Sequence, residues 1–419
     1  MITKSLNDCL ILTIDKRGVT PKKLSSDWCS SGYRVLSANN VKTSGLKSLE
    51  DIRFVDKETY QKWMKEEIQR GDVLLTSEAP AGEVFYWDSD EKIVVGQRLF
   101  GLRTKNDVDP LYLKYFLQST AGQAEISNKC SGSTVFGISA KMFDQIKVIL
   151  PESISYQKRV SSFLYAIDKK IENNNKINAE LESLAKTIYD YWFLQFEFPN
   201  EEGKPYKSSG GKMVWNEELK REIPEGWNVF SLEERGYLKN GINYDKKDKG
   251  DKIFRIINVR DISQSSLFIS SSSLENISLF EKSACNYKLD KNDILIARSG
   301  CPGQVRLIDQ IAEDIIYCGF IICFSPKIPS ERLYLTMALK KLEGTNASKT
   351  GGSILQNVSQ ATLKNIKICM PTNKLLDKYN SINSSINQKI ISIVQENSEL
   401  SSLRDFLLPM LMNGQITFR

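Results

Sequence analysis

The stretch that decides the fold runs Val160-Ser-Ser-Phe-Leu-Tyr-Ala-Ile-Asp-Lys-Lys-Ile-Glu-Asn-Asn-Asn-Lys-Ile-Asn-Ala-Glu-Leu-Glu-Ser-Leu-Ala-Lys-Thr-Ile-Tyr-Asp-Tyr-Trp192. Within it Val160, Leu164, Ile167, Ile171, Asn174, Asn178, Leu181, Ala185, Ile188 and Trp192 follow one another in alternating steps of four and three. That is a heptad seam, sustained for more than four heptads, and it predicts a helix that packs along its whole length. At 1.5 Å per residue a helix over 155–193 is roughly 55–60 Å long. Such a rod overhangs one small domain, so its apolar stripe needs a partner.

The same chain supplies one. Tyr379, Asn383, Ile386, Ile390, Ile393, Asn397, Leu400, Arg404 and Leu407 repeat the seam 219 residues later. Working outward, Tyr33-Arg-Val-Leu returns as Phe254-Arg-Ile-Ile, Asp72-Val-Leu-Leu-Thr as Asp293-Ile-Leu-Ile-Ala, and Gly82-Glu-Val as Gly303-Gln-Val, all at offset 221. Leu111-Tyr-Leu matches Leu333-Tyr-Leu at offset 222, which sets Arg298 against Ser77 within a residue. Ser131-Gly-Ser-Thr-Val-Phe-Gly-Ile-Ser matches Gly351-Gly-Ser-Ile-Leu-Gln-Asn-Val-Ser, and Ile146-Lys-Val-Ile-Leu-Pro matches Ile366-Lys-Ile-Cys-Met-Pro, both at offset 220. The order holds across the half-chain, and a drift of one or two residues is what surface-loop insertions produce.

Each half therefore has one plan. Short β-branched runs (72–75, 93–95, 294–297, 315–324) alternate with Gly, Ser, Asn and Asp turns, and the apolar stretches 111–117 and 333–339 have helical spacing. Pro151 and Pro371 close the two globular heads, and a long helix follows each. Between the halves, Phe196-Glu-Phe-Pro-Asn-Glu-Glu-Gly-Lys-Pro-Tyr leads through Gly210-Gly to Ile223-Pro-Glu-Gly-Trp227, a composition suited to an irregular crossing. The expected division is a first head at 1–154, a central long helix and linker at 155–205, a second head at 206–373 and a C-terminal long helix at 374–419. A pseudo-twofold repeat of this kind predicts two similar mixed α/β heads, α+β in class, separated by two long antiparallel coiled-coil helices. Asn178 and Asn397 share one repeat position; either they fix the register of the seam or they face water where the helices diverge.

With 419 residues, 41% apolar and 26% charged, the chain is of ordinary globular composition and long enough for two or three domains. It contains no histidine, which removes His-based nucleophile activation, His-ligated zinc and imidazole acid–base chemistry. Cys9, Cys29, Cys130, Cys285, Cys301, Cys318, Cys323 and Cys369 include no C-x-x-C pair and read as reduced, half-buried small hydrophobes. The beginning of the chain lacks a signal-peptide apolar core and no run is long enough to span a bilayer, so a cytoplasmic, non-membrane location is expected. Net charge is only +6, and the excess sits mainly in 206–373, with 24 basic against 19 acidic residues. Two unlike heads on a stiff spacer fit a target with two parts at a fixed distance, and duplex DNA, with its repeating groove, is the natural candidate.

In the order of its parts the chain resembles the specificity subunit of type I restriction–modification enzymes. The likeness is carried by Gly71-Asp-Val-Leu-Leu, Ile146-Lys-Val-Ile-Leu-Pro, residues 173–184 with Ile188-Tyr-Asp-Tyr-Trp-Phe193, Pro199-Asn-Glu-Glu-Gly-Lys-Pro-Tyr, Ile223-Pro-Glu-Gly-Trp, Gly351-Gly-Ser and Leu407-Leu-Pro-Met-Leu-Met-Asn-Gly-Gln-Ile, over nearly the full chain. The resemblance implies a subunit without catalytic residues or cofactor of its own. Its two target-recognition domains would each read half of a bipartite, asymmetric sequence in double-stranded DNA. The long helices would act as ruler and as dock for two methyltransferase subunits carrying S-adenosylmethionine. Restriction subunits, which use ATP and magnesium, would complete the assembly. The absence of a G-x-x-x-x-G-K-[ST] phosphate loop agrees with this. One departure is that the first head begins almost at Met1, with a shorter opening segment than the second has at Ile223–Trp227.

Groove reading needs Arg or Lys for guanine and Asn or Gln for adenine, with Ser, Thr and amides on phosphate. The candidate DNA contacts are Lys22, Lys23, Arg34, Ser131, Ser133 and Thr134 in the first head, and Lys246, Lys247, Lys249, Arg298, Lys349 and Gln356 in the second. Arg34 and Arg255 match across the repeat, so a framework role is open to both. Phe163, Ile177, Leu184 and Tyr191 recur at heptad spacing beside the seam and, with Trp192 and Phe193, form the candidate methyltransferase contact. Packing on the adjoining head is the other reading of that face. A coiled-coil scaffold without sequence-specific DNA binding is the competing function; it explains the rods and leaves the duplicated heads unexplained.

Overall fold

The structure, a computed structural model, describes residues 1–131, 136–245, 247, 249–341, 343 and 358–416. The chain forms two compact units, one of residues 1–170 with 401–419 and one of residues 171–400.

Unit 1 opens with strands β1 (Ile2–Ser5), β2 (Leu10–Asp15), β3 (Tyr33–Leu36), β4 (Val41–Lys42), β5 (Gly45–Leu46) and β6 (Arg53–Val55), then helix α1 (Lys57–Trp63). Strands β7 (Val73–Thr76), β8 (Val84–Tyr86), β9 (Val94–Val95) and β10 (Leu99–Thr104) follow, then α2 (Pro110–Gln118), α3 (Thr120–Ser127), β11 (Lys147–Leu150) and the start of α4 (Ile154–Tyr189). A four-stranded antiparallel sheet in the order β2-β10-β7-β8 is central, with a smaller sheet β6-β3-β9 and the pair β1-β11 beside it. Successive side chains on a strand point to opposite faces. Accordingly Val73, Leu75, Phe100 and Leu102 enter one core with α2 and α4, while Leu74, Leu99 and Ile14 enter another with the small sheet. Burial on both faces is why the run Val73-Leu-Leu reads as continuously apolar rather than alternating.

Unit 2 begins with the rest of α4 and a π-helical turn, Asp190–Leu194, then a hairpin of β12 (Met213–Asn216) and β13 (Arg221–Pro224). Next come β14 (Asn228–Ser231), α5 (Leu232–Arg235), β15 (Gly236–Asn240), β16 (Lys252–Ile257), α6 (Val259–Gln264), β17 (Phe268–Ile269), β18 (Glu275–Leu279) and α7 (Glu281–Ala284). The unit continues with β19 (Ile294–Ala297), β20 (Val305–Ile308), β21 (Ile315–Tyr317), β22 (Ile321–Pro326), α8 (Arg332–Lys340), α9 (Gln360–Lys364), β23 (Lys367–Met370) and most of α10 (Asn373–Met412). Its sheets are β15-β22-β19-β20-β17, β18-β16-β21 and β14-β23, the plan of unit 1 with one added edge strand. The alternation also repeats: Ile294 and Ile296 face one core, Leu295 and Ala297 the other. Even the turn glycines correspond. Gly82 and Gly303 have φ of +93° and +82°, and their N–H groups donate to Thr76 and Ala297 at 3.0 and 2.9 Å, closing a turn that L side chains rarely adopt.

The two long helices run antiparallel within each unit. In unit 1, Val160 and Leu164 of α4 share a core with Leu411 and Met412 of α10, and Arg404 donates to Asp168 at 3.0 Å. In unit 2, Asn174 donates to Asn397 at 2.9 Å and to Glu396 at 2.7 Å, Asn397 donates to Asn175 at 2.9 Å, and the Trp192 and Tyr379 rings lie 6.1 Å apart. Asn397 thus bonds across the seam, and Asn178 is buried in it with an unpaired Oδ1; neither marks a divergence of the helices. The unit boundary falls inside the helices because each stretch of the pair packs with its own head.

The linker is more ordered than its composition predicts. Phe196 and Phe198 pack on Trp227, at 5.4 and 5.5 Å between ring centroids, and join Phe193 in the core of unit 2. Cys9, Cys318, Cys323 and Cys369 are buried, and burial pushes the Cys9 and Cys369 thiols up to about 11. Among the described residues no helix is long and apolar enough to cross a membrane.

Candidate functional site

In unit 1 three loops meet where the central sheet ends. The N–H of Ser77, just past β7, donates to the Arg98 carbonyl at 2.9 Å, just before β10. The Ser77 carbonyl accepts from Ile138 at 2.8 Å, and Gly137 and Ser131 exchange backbone bonds of 2.9 and 3.1 Å. The loop closed by Ser131 and Gly137 is therefore fixed at its base to the strand ends. Around this base, Arg17 forks onto Asp15 at 2.8 and 2.7 Å and reaches the Ile138 carbonyl at 3.3 Å. Burial pushes the Asp15 carboxyl up, but Arg17 outweighs it and holds the group below its ordinary value. Arg98 lies 3.4 Å from Glu78, and the Phe136 ring is 68% exposed.

Unit 2 builds the same junction with other side chains. The N–H of Arg298 donates to the Phe320 carbonyl at 2.8 Å, and the Arg298 carbonyl accepts from Val358 at 2.7 Å. Arg298 thus occupies the backbone position of Ser77, and Phe320 that of Arg98. The Arg298 side chain is partly exposed and makes no hydrogen bond or ion pair among the described residues. Phe320 is 61% exposed, and nearby Gln360 donates to Asn240 at 3.0 Å. An unengaged guanidinium fork suits guanine O6/N7 or a phosphate, and an exposed ring suits a thymine methyl or an unstacked base.

The other candidates fall in several places. Lys22 and Lys23 are exposed on a 3-10 turn, Pro21–Leu24, where Lys23 donates to the Gly18 carbonyl at 2.6 Å. Lys247 and Lys249 are exposed. Ser133, Thr134, Lys246, Lys349 and Gln356 lie outside the described residues. Arg34 is engaged by Glu91 through both Nε and Nη2, as Arg255 is by Asp314 at 2.7 Å through each nitrogen. This is the framework alternative: one ion pair bracing the same small sheet in both units, with Arg255 holding the Asp314 carboxyl below its ordinary value. Arg17, Arg98, Phe136 and Phe320 escaped the sequence reading. The available signal was position: Arg98 and Phe320 each directly precede a strand of the repeat.

On the helices, Phe163 in unit 1 and Ile177, Leu184 and Tyr191 in unit 2 are 37–49% exposed. Trp192 and Phe193 correct the expectation for this face. They are 9% and 2% exposed; Phe193 sits 4.8 Å from both Tyr334 and Tyr379. Trp192 is itself a seam residue, and the π-helical turn gives the ladder an extra residue that carries Phe193 into the same core. Among the described residues no group of three or more Cys, Asp or Glu could hold a metal ion.

Comparison with known proteins places these features in one family. A model described as the type I restriction modification DNA specificity domain matches residues 3–183 and again 224–408. The type I restriction enzyme MjaIX specificity subunit of Methanocaldococcus jannaschii is 24% identical over 351 residues, covering 83% of this chain and 78% of that protein. The type I restriction enzyme HindI specificity subunit of Haemophilus influenzae is 22% identical, covering 84% and 88%. A crystal structure of a type I restriction–modification system S subunit from M. genitalium, 16% identical, shares the fold with a TM-score of 0.55 over 98% of this chain and 95% of that one.

Proposed function

The chain belongs to the type I restriction–modification DNA specificity family, and from that premise we propose that it reads a bipartite, asymmetric DNA target, one half-site per unit. As a specificity subunit it is the non-catalytic, sequence-choosing member of its system. The observation that carries the reading is the junction built twice on one backbone plan with different side chains, Ser77 and Arg98 in unit 1 against Arg298 and Phe320 in unit 2. A shared framework with divergent decoration is what two unlike half-sites require.

The long helices set the spacing between half-sites in this proposal. The exposed face of Ile177, Leu184 and Tyr191 in unit 2, and Phe163 in unit 1, receives the methyltransferase subunits, which bring S-adenosylmethionine and modify the DNA. Restriction subunits using ATP and magnesium join that core. The test is R298A in the reconstituted methyltransferase complex, with methylated sites mapped on a library of targets. The variant loses discrimination at one base pair of one half-site, about 1–3 kcal/mol, with the other half-site unchanged. Equal weakening on every sequence would reduce Arg298 to a phosphate contact, and an unaltered pattern would remove it from the interface.

A further inference from the structure

Arg98, at the junction in unit 1, holds a backbone conformation that its side chain does not favour. Its φ is +60°, in the left-handed region where Cβ crowds the following carbonyl and glycine or asparagine ordinarily sits. The chain on both sides is fixed: the Gly96 N–H donates to the Leu36 carbonyl at 2.8 Å, and Leu99 pairs with Thr76 in the central sheet. Phe320, which takes the same place in unit 2, has no positive φ, so the shared framework does not demand this turn. Glycine would make it at lower cost; what the position gains from arginine is the side chain. Strain of this kind persists where the surroundings over-determine it, and it concentrates at ligand-binding positions.

The Arg98 side chain is 48% exposed, and its polar contact is an ion pair with Glu78, Nε to Oε1 at 3.4 Å. Nη1 and Nη2 make no hydrogen bond among the described residues. Glu78 is itself anchored, because it bridges Gly137 in antiparallel fashion, and a Cβ at Gly137 would come within 3.1 Å of both the Ser77 carbonyl and Glu78 Cβ. Arg17, the other arginine here, is fully engaged by Asp15 and the Ile138 carbonyl. Each of the two arginines is therefore matched by an acid, and a cation already matched by a carboxylate adds little to the attraction for phosphate. What Arg98 retains is directional: two amino groups at the free end of a planar fork. Of the four bases, guanine alone offers two acceptors, O6 and N7, on its major-groove edge.

We propose that Arg98 reads a guanine in the half-site of unit 1, with Glu78 as the positioning residue that holds Nε and leaves the end of the fork for the base. This rests on the proposal that each unit reads one half-site, and it assigns unit 1 an obligate G·C pair. The experiment maps methylated sites on a randomised target library with the reconstituted methyltransferase complex of wild type, R98G, R98K and E78Q. Binding of each complex to random duplex is measured against salt.

Glycine accepts the left-handed turn, so R98G melts no lower than wild type, while its map loses the preference for guanine at one position by roughly 5- to 150-fold. R98K recovers general binding without the full preference, since an ammonium lacks the planar fork. E78Q blurs the same position to a smaller extent and tightens binding to random duplex, because a cation is released; a merely structural Glu78 would move neither. A guanine preference intact in R98G overturns the assignment, as does weakening that is equal on every sequence with a smaller salt slope, the mark of a phosphate contact. Both of those results leave the half-site reading standing. A wild-type map without two unlike half-sites, or R98G and R298A altering the same half-site, removes that reading and this assignment with it.

Discussion

Replacing Asp168 by Asn tests whether charge, as well as packing, holds the end of α10 in unit 1. Asp168 accepts from Lys114 Nζ at 2.7 Å, from the Tyr115 hydroxyl at 2.6 Å and from Arg404 Nη1 at 3.0 Å. The Lys114 side chain is 9% exposed, so water does not replace the carboxylate when it is removed. Burial pushes the Asp168 carboxyl up, but Lys114, with Tyr115 and Arg404, outweighs this and holds it below its ordinary value. Removing one partner of a buried pair costs about 3–5 kcal/mol; the Asp168 and Arg404 side chains retain 24% and 31% exposure, which favours the low end, about 3 kcal/mol.

For a folding unit of about 150–250 residues that is a fall of about 6–12 °C in Tm, read by calorimetry on the full chain at pH 7. The folded carboxyl is depressed, so its contribution is complete above the unfolded value of about 3.9 and is lost as pH falls through the lower folded value. Wild type and D168N therefore converge in acid. The double variant K114M/D168L, apolar and similar in volume, recovers part of the loss: it removes the orphaned Lys114 charge and Arg404 keeps Asp405, while the buried Tyr115 hydroxyl is left without its acceptor. A D168N protein melting within about 2 °C of wild type, or a double variant no better than the single, refutes this account.

Three further outcomes are expected. N178L removes a buried amide whose Oδ1 has no partner and raises the Tm of unit 2, by up to about 1–3 kcal/mol in stability, as read by chemical denaturation; a loss would mean the amide serves the seam. R34Q, which breaks a half-exposed ion pair, lowers stability by less than about 1 kcal/mol and leaves DNA affinity and its salt slope unchanged in filter binding, since Arg34 is engaged by Glu91. Y191E leaves the melting curve intact and weakens co-purification with the methyltransferase, whereas W192E, one residue on, unfolds unit 2; equal melting of the two would contradict the burial difference between them.

The sequence carried the periodic and repeated parts of the protein. Steps of four and three dictated the long helices because a 3.6-residue turn places those side chains on one stripe, and the same steps 219 residues later dictated a second. Ordered matches such as Asp72-Val-Leu-Leu against Asp293-Ile-Leu-Ile located the paired central strands, and they set Arg298 opposite Ser77 before any hydrogen bond was known. Tertiary structure alone decided which charges are engaged. Arg34 and Arg298 look equally available along the chain, yet Glu91 lies 57 residues from Arg34 and closes on it through the small sheet, while Arg298 meets no acid among the described residues. Likewise Tyr191, Trp192 and Phe193 are consecutive aromatics, and only the π-helical turn and the Trp227 core separate the exposed ring from the two buried ones. Local spacing fixes the direction of a side chain along its own element; whether a partner waits there depends on chain folded back from far away, and no periodicity encodes that distance.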